Sequence, residues 1–410
     1  MKYIRTHETR DKFLADKDST SRGFRLAPTL YKYSDESEDE DNRDHIYLEL
    51  DDPRKHEGST YMEIALDSDV EFSFYIGNKS DDKQTTITCT IDWGDDTIET
   101  KTITKDNYGF KLAHNYVAGS YKIELYDVER EYSVVGDITN GKSLISHPSS
   151  VKRVVLGEGV TKLWHDVFRD CHSLSSIFIS EGVTYMAGTS FAFCSRLMFV
   201  YISKRVTFIG AGAFYACPFS LIHIPESVTF IGPNAFGDCR SLKSINIPEN
   251  VTSISSRTFQ YCTSLISVYI PEKVTSIGTY AFQYCTSLTS IHIPEGVTTI
   301  NQYTFYNCYK LKSIDIPERV ATIKQYAFYN CRSLKSIDIP EKVTSIEDSV
   351  FQGCSSLTSI SSFNLTTPTL GGNIFLDLPT GGTLHIKPGA TGYDAWLSKL
   401  PEGWRIVEDL

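Results

Sequence analysis

Nine of the ten cysteines keep time along the chain. They stand at Cys171, Cys194, Cys217, Cys239, Cys262, Cys285, Cys308, Cys331 and Cys354, and every interval is 23 residues except one of 22. A fixed period in the twenties is the mark of a solenoid, in which each unit is one turn of chain that cannot bury its apolar side without neighbours. That single regularity decides the architecture of half the 410 residues.

Aligned on the cysteines, the units read I-P-E-x-V-T-S-I-G-x-x-A-F-x-x-C-x-S-L-x-S-I-x, almost unaltered from Ile270 to His292 and again from Ile339 to Ser361. Nine units run from Leu156 to Ser361. The stretch around Leu288, Ile291 and Ile293 ends in apolar/polar alternation, which predicts a strand half buried against the interior. One strand per turn predicts one parallel sheet, and Pro225, Pro248, Pro271, Pro294, Pro317 and Pro340 at the strand exit should stop its ladder. Val274, Ile277 and Phe282 then line a return arc. Nine turns stacked at strand spacing give a rod about 43 Å long.

The units resemble the 23-residue leucine-rich repeats of the BspA-like family, with the Ile-Pro, Ala-Phe, Cys and Ser-Leu landmarks in place. The turn after Cys217 is one residue short, so Phe219 takes the Leu place, and Gly157, Ser180 and Ser203 stand where Pro is usual. The resemblance implies a surface-displayed binding or adhesion module and no enzyme.

Before the array, Tyr61–Leu66, Val70–Ile76, Thr85–Asp92, Ile98–Thr104 and Tyr121–Val128 are short alternating runs separated by Asn, Asp, Gly and Ser, the pattern of a β-sandwich. Within it, Ile91-Asp92-Trp93-Gly94-Asp95-Asp96, then His114-Asn115-Tyr116 and Gly119-Ser120-Tyr121-Lys122-Ile123, resemble the PKD type of immunoglobulin-like domain, which carries Gly where Asp96 stands. Trp93 and Tyr116 are expected as core aromatics, and the resemblance implies a spacer that holds the array off an anchor. The expected fold class is therefore mainly β, a PKD/Ig-like sandwich followed by a leucine-rich repeat solenoid. Domain limits are expected at 1–57 (amino-terminal anchor and acidic linker), 58–149 (sandwich), 150–361 (solenoid) and 362–410 (carboxy-terminal cap, read as strand, turn and helix with Trp396 and Trp404 in its core).

Charge decides which partners are excluded. Residues 1–149 carry 19 Lys and Arg against 31 Asp and Glu, and the remainder is nearly balanced, so the net −11 lies wholly in the first third. An acidic front and a neutral array offer no phosphate-seeking surface, which excludes nucleic acid and anionic membrane. The opening residues contain no apolar leader core, and no stretch is long and apolar enough for a span, so the reading expects neither secretion nor membrane insertion. Thr6 could cap a short helix through Lys17, and Asp35–Asp44 reads as solvated linker. Met1-Lys2-Tyr3-Ile4 with Phe13 resembles amino-terminal segments of structural proteins from phages of gut anaerobes, which implies that segment 1–57 docks on a capsid.

The candidate chemistry is sparse. Metal sites use close cysteine pairs, and here each thiol is a whole turn from the next, so the column reads as buried small hydrophobes, and Cys89 likewise. Asp92, Asp95, Asp96 and His114 read as turn residues, and Gly210-Ala211-Gly212 as a turn. Asn78, Asn250 and Asn364 head glycosylation sequons. No catalytic residue, cofactor or metal is assigned. The informative positions are those between the two isoleucines: Phe178, Tyr201, His223, Asn246, Tyr269, His292, Asp315, Asp338 and Ser361, a row running from aromatic to acidic. It is either a recognition face on the concave side for a glycan or protein of a host surface, or a solvated sheet. Lys312 with Asp315 and Lys335 with Asp338 are expected to neutralise one another in part, which argues against a dedicated anion or metal site. Tyr280, Tyr303 and Tyr326, with Tyr261, Tyr284, Tyr306 and Tyr329 nearby, form either a duplicated surface feature or a second stripe. The expectation is a non-enzymatic attachment protein on a virion surface, such as a head fibre or decoration protein, or else a bacterial cell-surface adhesin. A homo-oligomer built through the anchor is the further expectation.

Overall fold

Strands dominate because the apolar residues alternate over short runs and turn residues interrupt them before a helical stripe can form. The computed structural model describes residues 60–76, 86–104, 110–126, 132–134, 145–157 and 159–410. The expected capped helix, the acidic linker, the capsid-docking segment and the Asn78 sequon lie outside them.

Among the described residues, seven strands precede the array: β1 (Thr60–Leu66), β2 (Val70–Ile76), β3 (Thr86–Asp92), β4 (Ile98–Thr104), β5 (Phe110–Tyr116), β6 (Gly119–Tyr126) and β7 (Tyr132–Val134). Alternation locates five of them within a few residues and misses β5 and β7. β8 (Val151–Leu156) and β9 (Val160–Leu163) open the solenoid. β1 pairs antiparallel with β6 on one side and with β8 on the other, and β8 pairs parallel with Ser176–Ile179. In the second sheet β2 pairs antiparallel with β5 and β7, and β7 runs parallel to β9. Both sheets thus pass from antiparallel to parallel pairing, and residues 58–410 form one compact unit. The antiparallel layer covers the first open edge of the array, where bare strand backbone would invite pairing with other chains.

Trp93 and Tyr116 are core residues. Tyr116 donates from its hydroxyl to the Trp93 carbonyl at 2.8 Å, and Trp93 Nε1 donates to Glu99 Oε1 at 2.6 Å. Gly94 has φ +78°, and a Cβ there would sit 2.5 Å from the Lys122 carbonyl oxygen. The left-handed backbone alone disfavours a side chain by about 1–2 kcal/mol, and the backbone clash adds to it. Gly94→Ala is expected to destabilise this layer by about 2 kcal/mol or more. Thermal melts followed by Trp93 fluorescence check this; an unchanged melt would contradict the geometry.

The turns stack through two ladders, not the expected one. The Ile-x-Ile segments form the first, as in Ser336–Ile339 pairing with Ser359–Ser362. The Ser-Ile or Thr-Ile segments after the Pro-Glu corner form a second of short strands, such as Thr299–Ile300 on Thr322–Ile323. The return arc is therefore β-paired for part of its length. Between this second ladder and the cysteine, the chain bends through a third segment joined turn to turn by backbone bonds, for example Phe168 N–H to Ser190 O and Phe191 N–H to Ala213 O, both 2.8 Å. Left-handed backbone recurs within these arcs, at Asn234 and Asp238 in one and at Tyr280 and Tyr284 in another.

The interior is built of columns. Phe191, Phe214, Phe236, Phe259, Phe282, Phe305 and Phe328 stack with centroids 5.4–5.8 Å apart and are fully buried. Beside them every array cysteine is a buried free thiol. From Cys194 to Cys354, each Sγ donates to the carbonyl of the arc Phe in the preceding turn, at 3.1–3.3 Å. The repeat spacing that looks like a ruler is thus a hydrogen-bond period. Phe219 fills the Leu place in the short turn and meets Phe214 edge-on at 5.8 Å. There the first ladder is interrupted: no strand forms over 219–224, and pairing resumes at Ser244–Asn246.

The parallel stacking outlasts the sequence period, giving about eleven turns in place of nine. Thr383–Ile386 pairs with Ser359–Ser362, and Arg405–Glu408 with Thr383–Ile386, after a one-turn helix at Asp394–Leu397. Trp396 and Trp404 are buried there, Trp404 donating to the Pro379 carbonyl at 2.8 Å. Asn364 is buried, and its amide donates to the Glu341 and Val343 carbonyls, so its side chain belongs to the structure and is closed to glycosylation.

Candidate functional site

On a strand whose isoleucines point inward, the residue between them must point outward. Stacking turns in register therefore lines up one outward side chain per turn at strand spacing. Phe178 lies opposite Tyr201 in the parallel ladder, their rings stacked nearly parallel with centroids 4.5 Å apart. His223 and Asn246 follow, both exposed, and Asn246 is in register with Tyr269. His292, Asp315, Asp338 and Ser361 complete the row, and His385 continues it beyond the sequence period.

The Pro-Glu corners supply partners that the row itself does not suggest. Tyr269, 48% exposed, donates its hydroxyl to Glu249 Oε1 at 2.5 Å, and His292 Nε2 lies 3.0 Å from Glu272 Oε1. In each case the carboxylate comes from the corner of the preceding turn. Partial burial, with the Glu249 carboxylate beside it, pushes the Tyr269 phenol up to about 12, so it stays a neutral donor over the working pH range. His385 also meets a carboxylate, but from the following turn: Asp409 lies 2.9 Å from its Nδ1.

Among the described residues, no ion pair joins Lys312 to Asp315 or Lys335 to Asp338. The lysines precede the strand and start a separate column, and the intervening extended chain separates the two side chains by roughly 10 Å.

Two further groups of outward residues escape sequence reasoning. Met198 and Ile266, 43% and 45% exposed, stand just ahead of the strands that carry Tyr201 and Tyr269 and extend the apolar part of the face. On the second ladder, Tyr185, Phe208 and Phe230 stack at 4.5 and 4.8 Å. Their spacing of 23 and 22 residues is present in the sequence, but an arc without strand pairing gives no reason to ask which of its residues share an outward side.

The acidic turn of the antiparallel layer is occupied with itself. Asp92 accepts from the Gly94 N–H and Asp95 from the Thr97 N–H, while the second Asp95 oxygen lies 2.8 Å from His114 Nε2. Asp96 takes the left-handed φ of +68° that suits glycine. Among the described residues, no group of three or more His, Cys, Asp or Glu side chains is placed to hold a metal ion.

Against known proteins, the profile described as the BspA type leucine rich repeat region matches in six copies, over residues 161–289, 207–333 and 276–380. No curated protein matches the sequence. Solved structures similar to the chain include a leucine-rich repeat protein from Eubacterium ventriosum (19% identity, 82% of this chain and 85% of that one, TM-score 0.47). Another is a leucine-rich repeat protein from Bacteroides ovatus (21% identity, 80% and 100% covered, TM-score 0.37). A third is a leucine rich cell surface protein from Faecalibacterium prausnitzii (24% identity, 56% and 86% covered, TM-score 0.34).

Proposed function

The chain belongs to the BspA type leucine-rich repeat family, whose repeats cover over half of it, and from that premise we propose that it is a non-catalytic attachment protein. It binds a glycan or protein of a host surface through the outward row of the first ladder. The observation that carries this reading is the row itself: side chains of differing chemistry, presented one per turn on a rigid lattice. It begins with the stacked Phe178 and Tyr201, continues through hydrogen-bonding groups held by corner carboxylates at Tyr269 and His292, and ends on the acids Asp315 and Asp338. Such a surface offers a ligand both apolar contact and oriented polar groups, which is how compact recognition sites discriminate.

The test compares wild type with a Tyr201→Ala, Tyr269→Ala, His292→Ala variant on panels of glycans and host-surface proteins. We expect tenfold or greater loss of affinity with an unchanged far-ultraviolet spectrum and melting point, because these side chains are outward and the interior columns are untouched. Full binding by the folded variant would move the site off this face.

The chain is displayed on a surface, as is common for this family. The antiparallel layer, which resembles the PKD type at Trp93 and His114–Tyr116, serves as the rigid base of the array, and residues 1–57 attach it. The opening segment through Phe13 favours a phage capsid as the carrier; the family favours a bacterial envelope. Antibody labelling viewed by negative-stain microscopy separates the two, because label confined to cell envelopes excludes the virion.

A further inference from the structure

The arcs of the later turns carry seven tyrosines that neither the binding row nor the interior uses. Tyr261 stacks on Tyr284, Tyr280 on Tyr303, Tyr303 on Tyr326, and Tyr306 on Tyr329, with centroids 4.7–4.8 Å apart and ring planes within 22°. Edge contacts of 5.5–5.7 Å, Tyr303 to Tyr306 and Tyr284 to Tyr306, join the two ladders into one patch. The rings are half-buried, with Tyr261 38% exposed, so a small oxidant reaches them.

Five of these residues, Tyr261, Tyr280, Tyr284, Tyr303 and Tyr326, sit at the left-handed positions of their arcs. The same positions hold Asp, Asn and Gly in other turns, and also Thr189, Phe193, Ala216, Arg257 and Ser349, so this backbone belongs to the arc whatever residue occupies it.

We propose that these ladders are sites of dityrosine formation, in which a peroxide-driven one-electron oxidant links tyrosines of adjacent turns covalently. Each phenol of a pair loses one electron and its hydroxyl proton, and the unpaired density reaches the ring carbons ortho to oxygen. Turning the rings edge to edge about their Cβ–Cγ bonds brings two ortho carbons together, and one carbon–carbon bond forms. Each coupled carbon then gives up its hydrogen as the ring regains aromaticity, and the oxygens are reprotonated. The pair loses two electrons and two protons, which reduce one peroxide to two waters. Each link ties one turn to the next.

The fold contains its own controls. Tyr185 and Tyr201 are stacked as closely, but on Phe208 and Phe178, which cannot couple as phenols. Dilute full-length protein treated with a peroxidase and hydrogen peroxide should yield a monomer with dityrosine fluorescence, and linked peptides lighter by two hydrogens joining residues 261 to 284, 280 to 303, 303 to 326 and 306 to 329. Tyr303→Phe, which keeps the ring, should delete the two links through 303 and spare the others. Tyr284→Phe, Tyr303→Phe and Tyr306→Phe together should abolish all four. Links that form only between molecules, links through Tyr185 or Tyr201 at equal yield, or no dityrosine in the oxidised wild type would each overturn the proposal.

Discussion

Raising the pH from 8 to 10 is expected to unfold the array. Burial pushes every array thiol up from its ordinary value, Cys239 and Cys354 to about 12, and Cys89 in the antiparallel layer to about 11. Folded chains therefore hold these thiols neutral while unfolded chains ionise them above pH of about 9. The stabilisation is complete below the unfolded value and is lost as pH climbs towards the folded one. By linkage, each thiol accounts for a loss of about 1.5 kcal/mol at pH 10. A single turn holds only about 1–3 kcal/mol of net stability on the usual per-residue scale, so each turn loses a comparable amount at once. Denaturant titrations at pH 7 to 10 in the presence of reductant should show stability falling with a slope of several protons, and thiol reagents should react only as structure is lost. Cys285→Ala with Cys308→Ala should flatten that slope by about two protons. Stability at pH 10 within about 1 kcal/mol of that at pH 8 would show that the column is not held neutral.

Phe282→Ala should be the most damaging single truncation. Its ring is fully buried between Phe259 and Phe305, 5.5 and 5.6 Å away, and such a cavity costs about 3–5 kcal/mol. That exceeds the share of one turn, and turns are stabilised only by their neighbours, so the array should cease to unfold as one unit. We expect two denaturant transitions in place of one, with hydrogen exchange accelerated first around residues 260–305. Phe282→Leu, which refills most of the volume, should cost less than about 1.5 kcal/mol and keep a single transition. A single unshifted transition for Phe282→Ala would falsify the column as the source of cooperativity.

The interior is readable because it is periodic. Once Cys171 to Cys354 set the register, the inward places of Val274, Phe282, Leu288 and Ile291 follow from alternation. Trp93 is legible as core from the turn around it. The site is half readable: the same register places Phe178, Tyr201 and Tyr269 outward, whereas Tyr185, Phe208 and Phe230 depend on the second strand. That strand is very short in each turn, as at Thr299–Ile300, too short for alternation to reveal. The short turn after Cys217 is visible as a missing residue, but not that the loss interrupts the first ladder. Past Ser361 the period fails while stacking continues, because parallel pairing needs backbone in register and tolerates turns slightly longer or shorter than the repeat.

By itself, then, the sequence determined that the chain coils with a fixed repeat and which side chains each turn buries, because burial follows local alternation copied from unit to unit. The tertiary structure alone decided what meets what between turns: each thiol from Cys194 to Cys354 with the carbonyl of the arc Phe one turn back, Tyr269 with Glu249, the tyrosine ladders, and the joining of antiparallel strands to the parallel array. Those contacts depend on how one turn is placed over the next, a rotation and a rise that all the units set together and no single unit encodes.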